Sequence, residues 1–236
     1  MPTRVALALL LAGMSLSAAA PHRQSAQVTT NQTVNFAPGG TVRIEGSYGS
    51  LDVEGWDRPE VEITVTRSDS GLYGEKERAS VTGRLKKIEV KTESRSNGEL
   101  VIETHFPAHY GLFFPPLPPK VRIGEDMQYT IHVPRDTHLV VHHKDGNVLI
   151  GEVSGEIEAS ARSGDLVVML PDPGKYAIDA KVKIGTVYSD FGDAKHLDYA
   201  IGEKLTEGQG KRLYLRVGVG GISVQGPAAS PNKSAN

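Results

Sequence analysis

The sequence predicts an all-β protein made by repeating one strand-and-corner unit, and two observations carry that expectation. First, Gly146, Gly155 and Gly164 stand nine residues apart and open the same phrase. Val148 and Ile150 follow the first, Ile157 and Ala159 the second, and Leu166, Val168 and Leu170 the third. Apolar residues at every second position place their side chains on one face of a strand, and a glycine before each strand frees the backbone for a tight corner. Second, the phrase returns along the chain. It recurs as Gly40 with Val42 and Ile44, Gly49 with Leu51 and Val53, Gly98 with Leu100 and Ile102, Gly185 with Val187, and Gly220 with Ile222 and Val224. Repetition of one such unit predicts a coiled or stacked β architecture. It names no reaction.

Residues 1–19 read as a secretory signal peptide. Arg4 supplies the positive charge, Val5 to Leu11 the apolar run, and Ser17 to Ala20 the small residues around a cut after Ala19. That run is shorter than the roughly 20 residues a membrane-spanning helix needs, and no other segment is apolar enough to span. Residues 20–40 are expected to be a lead-in and first turn, with the polar stretch Pro21 to Gln32 mobile. Residues 41–225 are expected to form a single domain. Its apolar alternation starts with Val42 and Ile44 and runs through Leu51, Val53, Val61, Ile63 and Val65. From Glu75 to Lys87 the spacing of Ala79, Val81, Leu85 and Ile88 is nearer to helical, so one short helix is expected there. Strands Ile88 to Thr92 and Leu100 to Phe106 flank the turn Ser96-Asn97-Gly98-Glu99.

Phe106 to Lys120 interrupts the pattern with Pro107, Pro115, Pro116, Pro118 and Pro119 around Tyr110, Phe113 and Phe114. So much proline cannot continue a central strand, and an irregular loop inserted at 106–120 is expected. Strands resume at Met127 to Pro134 and continue beyond the turn Pro171 to Gly174 as Tyr176 to Val182, Gly185 to Ser189 and Leu213 to Val217. Residues 226–236 are small, polar and proline-containing, which predicts a disordered tail.

The chain has no cysteine, which rules out disulfides, thiolate metal sites, a cysteine nucleophile and a lipid-modified cysteine. Its formal charge is −2, and both signs alternate along strands, as in Arg84 to Lys91. That is a solvated face; nucleic acid is not an expected partner.

The repeated phrase, together with Val53-Glu54-Gly55-Trp56-Asp57 and Tyr129-Thr130-Ile131-His132-Val133-Pro134, resembles an exported bacterial family known only as putative adhesins. The resemblance covers about Val42 to Val224. It implies a right-handed parallel β-solenoid, or β-helix, with one short helix near the N-terminal side, and it brings no catalytic residues. On the residues alone an antiparallel meander competes, because short glycine links also suit hairpins. The expected inward side chains are Val148, Ile150, Ile157, Leu166, Val168 and Leu170, with Ala159 and Ala161 where the interior narrows. Gly146 and Gly164 are expected at equivalent corners, with Gly155 at the opposite one.

Chemistry-bearing residues are sparse in pattern. Pro107 between His105 and His109 forbids the helix on which a four-residue spacing would hold zinc. His142 and His143 are adjacent on a strand and point to opposite faces. His132, His138 and His142 could share an outward face, and Asp52, Glu54, Glu62, Glu156 and Glu158 could line one, though solvation explains both sets as well. Ser, His and Asp abound, yet no Gly-x-Ser-x-Gly elbow exists to present a nucleophile. Gly218 to Gly221 enters a strand and lacks the lysine of a phosphate loop. Trp56, the single tryptophan, is expected to close the apolar stack with its N–H on a backbone carbonyl. Gly146, Gly155 and Gly164 are structural corners. Tyr110, Phe113 and Phe114 are the candidate binding residues, since a proline-stiffened loop loses little entropy on contact. No metal and no cofactor is expected.

The expected function is a non-catalytic binding or scaffolding module, adhesin-like, in the periplasm or at the bacterial cell surface. An envelope protein or glycan is its partner. An envelope-stress accessory or sensing protein is the alternative, and a β-helix enzyme acting on polysaccharide is the second.

Overall fold

The computed structural model describes residues 23–107, 125–191, 196–201 and 204–226. The chain enters on β1 (Gln24–Asn35), where a mobile lead-in was expected. The stretch is polar because most of β1 is exposed, yet its backbone pairs along its length with β4 (Glu60–Tyr73). Polarity told of solvent, not of order. Between them lie β2 (Thr41–Tyr48) and β3 (Ser50–Trp56). The expected helix is α1 (Glu75–Leu85), with acids Glu75 and Glu77 in its first turn and Arg84 in its last, both favourable to the helix dipole. It buries only Val81 and Leu85, which pack on Ala26 of β1 in a small cluster of their own.

β5 (Glu89–Ser94) and β6 (Glu99–His105) form a hairpin across Asn97-Gly98. There follow β7 (Glu125–Pro134), β8 (His138–Asp145), β9 (Val148–Gly151), β10 (Ile157–Ser163) and β11 (Leu166–Met169). After a 3₁₀ turn at Pro173–Lys175 come β12 (Tyr176–Ser189), β13 (His196–Ile201), β14 (Lys204–Glu207) and β15 (Lys211–Gln225). Among the described residues no helix is long and apolar enough to cross a membrane.

All fifteen strands join one sheet, in the order β1-β4-β7-β3-β9-β11-β15-β10-β8-β2-β6-β5, with β12 also on β15 and β13 and β14 on β12. The expected right-handed parallel β-solenoid is therefore corrected: the sheet is mixed and curls into a half-barrel. Parallel pairs join β2, β8, β10 and β15 as well as β3, β9, β11 and β15. Antiparallel pairs join β1 to β4, β4 to β7, β5 to β6, and β12 to β13 and β14. A corner glycine permits either a parallel return or a hairpin, so the local phrase cannot choose between them.

Curling comes from the two long strands. β15 pairs with β10 through Leu213 to Val219 and with β11 through Ile222 to Gln225, and β12 follows it along both stretches. The sheet thus bends into two limbs that enclose one apolar core. Val148, Ile150, Ile157, Leu166, Val168 and Leu170 are all buried in it, as are Ala159 and Ala161. At the bend the glycines lie against neighbouring backbone. A Cβ on Gly164, whose φ is +113°, would overlap the Gly146 carbonyl, and one on Gly146, with φ +117°, would overlap the Gly49 carbonyl. Gly220 lies likewise on Gly164, and Gly185 on Gly220. Gly155 sits elsewhere, against the Thr137 carbonyl.

Candidate functional site

Strand alternation turns every second residue outward, and on the limb formed by β4, β7, β3, β9 and β11 those residues fall into aligned rows. Register aligns Thr64, Thr130, Asp52, Leu149, Val167, Ser223 and Tyr188 across seven strands. At the usual spacing of about 4.8 Å per strand this row spans about 29 Å. The next row aligns Glu62, His132, Glu54, Gly151, Met169 and Gln225. Leu149 is 37% exposed and Met169 39%, next to half-buried Val167. Met169 lies over Gly151, the one position in its row without a side chain. An apolar centre with Asp52, Glu54, Thr130 and Ser223 around it has the composition of a contact surface.

The edge of this face is held by Trp56. Its indole N–H donates to the Glu60 carbonyl at 2.9 Å. The ring stacks on His132 with centroids 4.9 Å apart and planes 18° off parallel, and the Arg58 guanidinium lies 4.7 Å from the ring centre. Two side chains over one indole leave it poorly placed to stack on a sugar. His132 lies 3.7 Å from each of the Glu54 and Glu62 carboxylates.

The remaining histidines are dispersed. β7 and β8 belong to different limbs, so His132 shares no face with His138 and His142. His142 contacts Glu45 at 2.8 Å on the outside of the second limb, and His105 lies 3.3 Å from Glu103. Asp52, Glu54 and Glu62 lie on the first limb, whereas Glu158 sits on β10 of the second, and no single acidic face results. Among the described residues no group of three or more His, Asp or Glu side chains is arranged to hold a metal. His109, Tyr110, Phe113 and Phe114 lie outside the described residues.

One pair was not singled out from the sequence. Ser47 Oγ lies 2.8 Å from His143 Nδ1, with Ser47 fully buried and His143 3% exposed. Burial holds the His143 pKa below the ordinary imidazole value. A serine hydroxyl on a neutral imidazole has the first bond of a hydrolytic triad. Among the described residues no side chain meets the other ring nitrogen, Nε2, so the third member is missing, and a sealed hydroxyl meets no substrate. The bulge at Glu45 to Ser47 turns the serine inward, and alternation alone could not have placed it there.

On the second limb, Gly218 leaves a shallow depression of about 530 Å³ beside Ser160, Lys181, Lys183 and Arg216. Arg216 is committed to the Asp179 carboxylate at 2.9 Å and lies over the Tyr214 ring at 3.7 Å. The glycine run that resembled a phosphate loop is thus part of a bent strand.

No protein-family model matches the chain, and no curated protein matches it in sequence. Two solved structures align with it weakly. A putative cell adhesion protein from Clostridium sporogenes is 15% identical and aligns over 85% of this chain and 100% of its own, with a TM-score of 0.48. A putative adhesin from Bacteroides fragilis is 12% identical over 84% of this chain and 97% of its own, with a TM-score of 0.25.

Proposed function

We propose that this chain is a non-catalytic, adhesin-like binding module exported to the bacterial cell envelope, holding a glycan or protein partner against the outer face of β3, β9 and β11. The observation that carries the reading is the exposure of Leu149 and Met169 beside Val167 on a wide sheet face. Apolar side chains grouped in this way gain little in water and gain contact energy when covered. A sheet face is also cheap to use, since its backbone is already ordered and little entropy is lost on contact.

Retention of envelope proteins and glycans on immobilised protein tests it. Leu149→Asp combined with Met169→Asp is expected to abolish retention while leaving the melting temperature nearly unchanged. Retention equal to that of the parent would place the contact elsewhere. Replacing Tyr110, Phe113 and Phe114 by Ser tests the proline-rich segment in the same assay, where lost retention at an unchanged melting temperature adds it to the contact surface.

A further inference from the structure

The two strands that end the sheet path, β1 and β5, do not pair with each other, and the gap between them is where the half-barrel stays open. A cavity of about 280 Å³ lies in that gap, lined by Thr30, Gln32, Arg67, Lys86, Glu89 and Lys91 with Val28, Ile88 and Val90. Arg67 sits where the inward series Val61, Ile63 and Val65 would place the next apolar residue, and it is 3% exposed. Its Nη1 donates to the Thr30 hydroxyl at 3.2 Å, whereas its buried Nε meets no acceptor among the described residues. The next inward residue of β4, Asp69, accepts from Tyr73 at 2.6 Å and from the Gly71 amide at 2.9 Å, with Arg84 3.6 Å away. The facing phenol of Tyr129 is pushed up to about 12 by burial and stays neutral. Glu89 contributes the one carboxylate of the lining and lies 3.5 Å from Lys91. A buried guanidinium that no carboxylate among the described residues pairs with is unfavourable unless an anion offsets its charge.

We infer that the gap between β1 and β5 is an anion-binding site in which Arg67, flanked by Lys86 and Lys91, takes the carboxylate or phosphate oxygens of a small ligand. A guanidinium fork matches two oxygens of one such group, and the two lysines add charge at the rim. Desolvation lowers the Arg67 pKa from its ordinary value, as burial without a counter-ion requires.

The test is a thermal titration of the full exported chain with inorganic phosphate and with glucuronate, at constant ionic strength in low chloride. A saturable rise in melting temperature is expected with at least one of them. Phosphate alone protecting assigns a phosphate ligand; glucuronate alone assigns a sugar carboxylate. Arg67→Met, which keeps the length and removes the charge, is expected to abolish the rise and to melt no lower than the parent without anion. Should that variant fail to fold, Lys86→Gln with Lys91→Gln is expected to weaken the protection about threefold or more, as two lost rim charges require. No saturable rise in the parent, or an equal rise in the variants, overturns the site.

Discussion

The bend of the half-barrel and its open gap are built on opposite terms. At the bend, glycine lies on glycine so that no Cβ fits between the backbones, and the buried neighbours are mostly apolar, with the hydrogen-bonded Ser47–His143 pair among them. At the gap, the inward register of β4 passes from Val65 to Arg67 and Asp69, and the α1 cluster of Val81, Leu85 and Ala26 is cut off from the main core. One region is specified by exclusion and the other tolerates charge. The difference teaches where to look for binding: a buried charge in a core register is costly to keep for packing alone.

Substitution of the glycines gives the largest contrast. Gly164→Ala forces a methyl group into the Gly146 carbonyl at a φ of +113°, and is expected to cost about 4 kcal/mol or more, read from urea unfolding. A cost below about 1 kcal/mol would show that the bend can relax. Leu166→Ala, fully buried on the bent side, is expected to cost about 2–5 kcal/mol. Leu72→Ala, 65% exposed at the end of β4, is expected to stay within about 0.5 kcal/mol of the parent.

Acidity sharpens the comparison within the second limb. His143 is held below its ordinary value of 6.5, so below that pH the unfolded chain takes up a proton that the folded chain refuses. Stability is expected to fall as pH drops from about 6.5 towards the folded-state value, and His143→Gln is expected to flatten that limb. A second loss is expected at lower pH. The Arg43 and Arg95 hydrogen bonds hold Glu99 down, and Asp145 is also depressed, since Arg162 and Ser163 outweigh the burial that opposes them. Their contribution is present at neutral pH and disappears as pH falls through those depressed values. Unfolding free energies measured from pH 8 to 3 check both limbs.

Two smaller effects complete the contrast. Gly83 is exposed in α1 with open space around its Cβ position, so Gly83→Ala is expected to stabilise by about 1 kcal/mol, opposite in sign to Gly164→Ala. Arg58→Ala removes the guanidinium from Trp56 and is expected to cost about 0.5–1 kcal/mol, with a change in tryptophan emission as the second readout.

The apolar strands and their inward faces were legible, because alternation is a local property and Val148, Ile150, Leu166 and Val168 obey it; β1 was not, since its exposed polar residues carry no apolar alternation. The short helix was legible for the same reason, through Val81 and Leu85. Trp56 with its N–H on a carbonyl could be anticipated because a half-buried indole needs an acceptor. The Ser47–His143 pair was not legible, since a bulge shifts the alternation that would have located it. Arg67 carried a signal that could have been read: a charge in the register of Val61, Ile63 and Val65 contradicts burial unless something answers it.

The sequence alone fixes that the chain forms strands, which of their apolar side chains face inward, and where glycine must stand so that backbones can approach. Each of these follows from the alternation of side chains or from the absence of a Cβ, which act within a few residues. Only the tertiary structure decided strand direction, the curl of the sheet through β12 and β15, and the meeting of β1 with β5 across an open gap. Those depend on pairings between residues far apart in the chain, where one glycine corner serves a parallel return and a hairpin equally well.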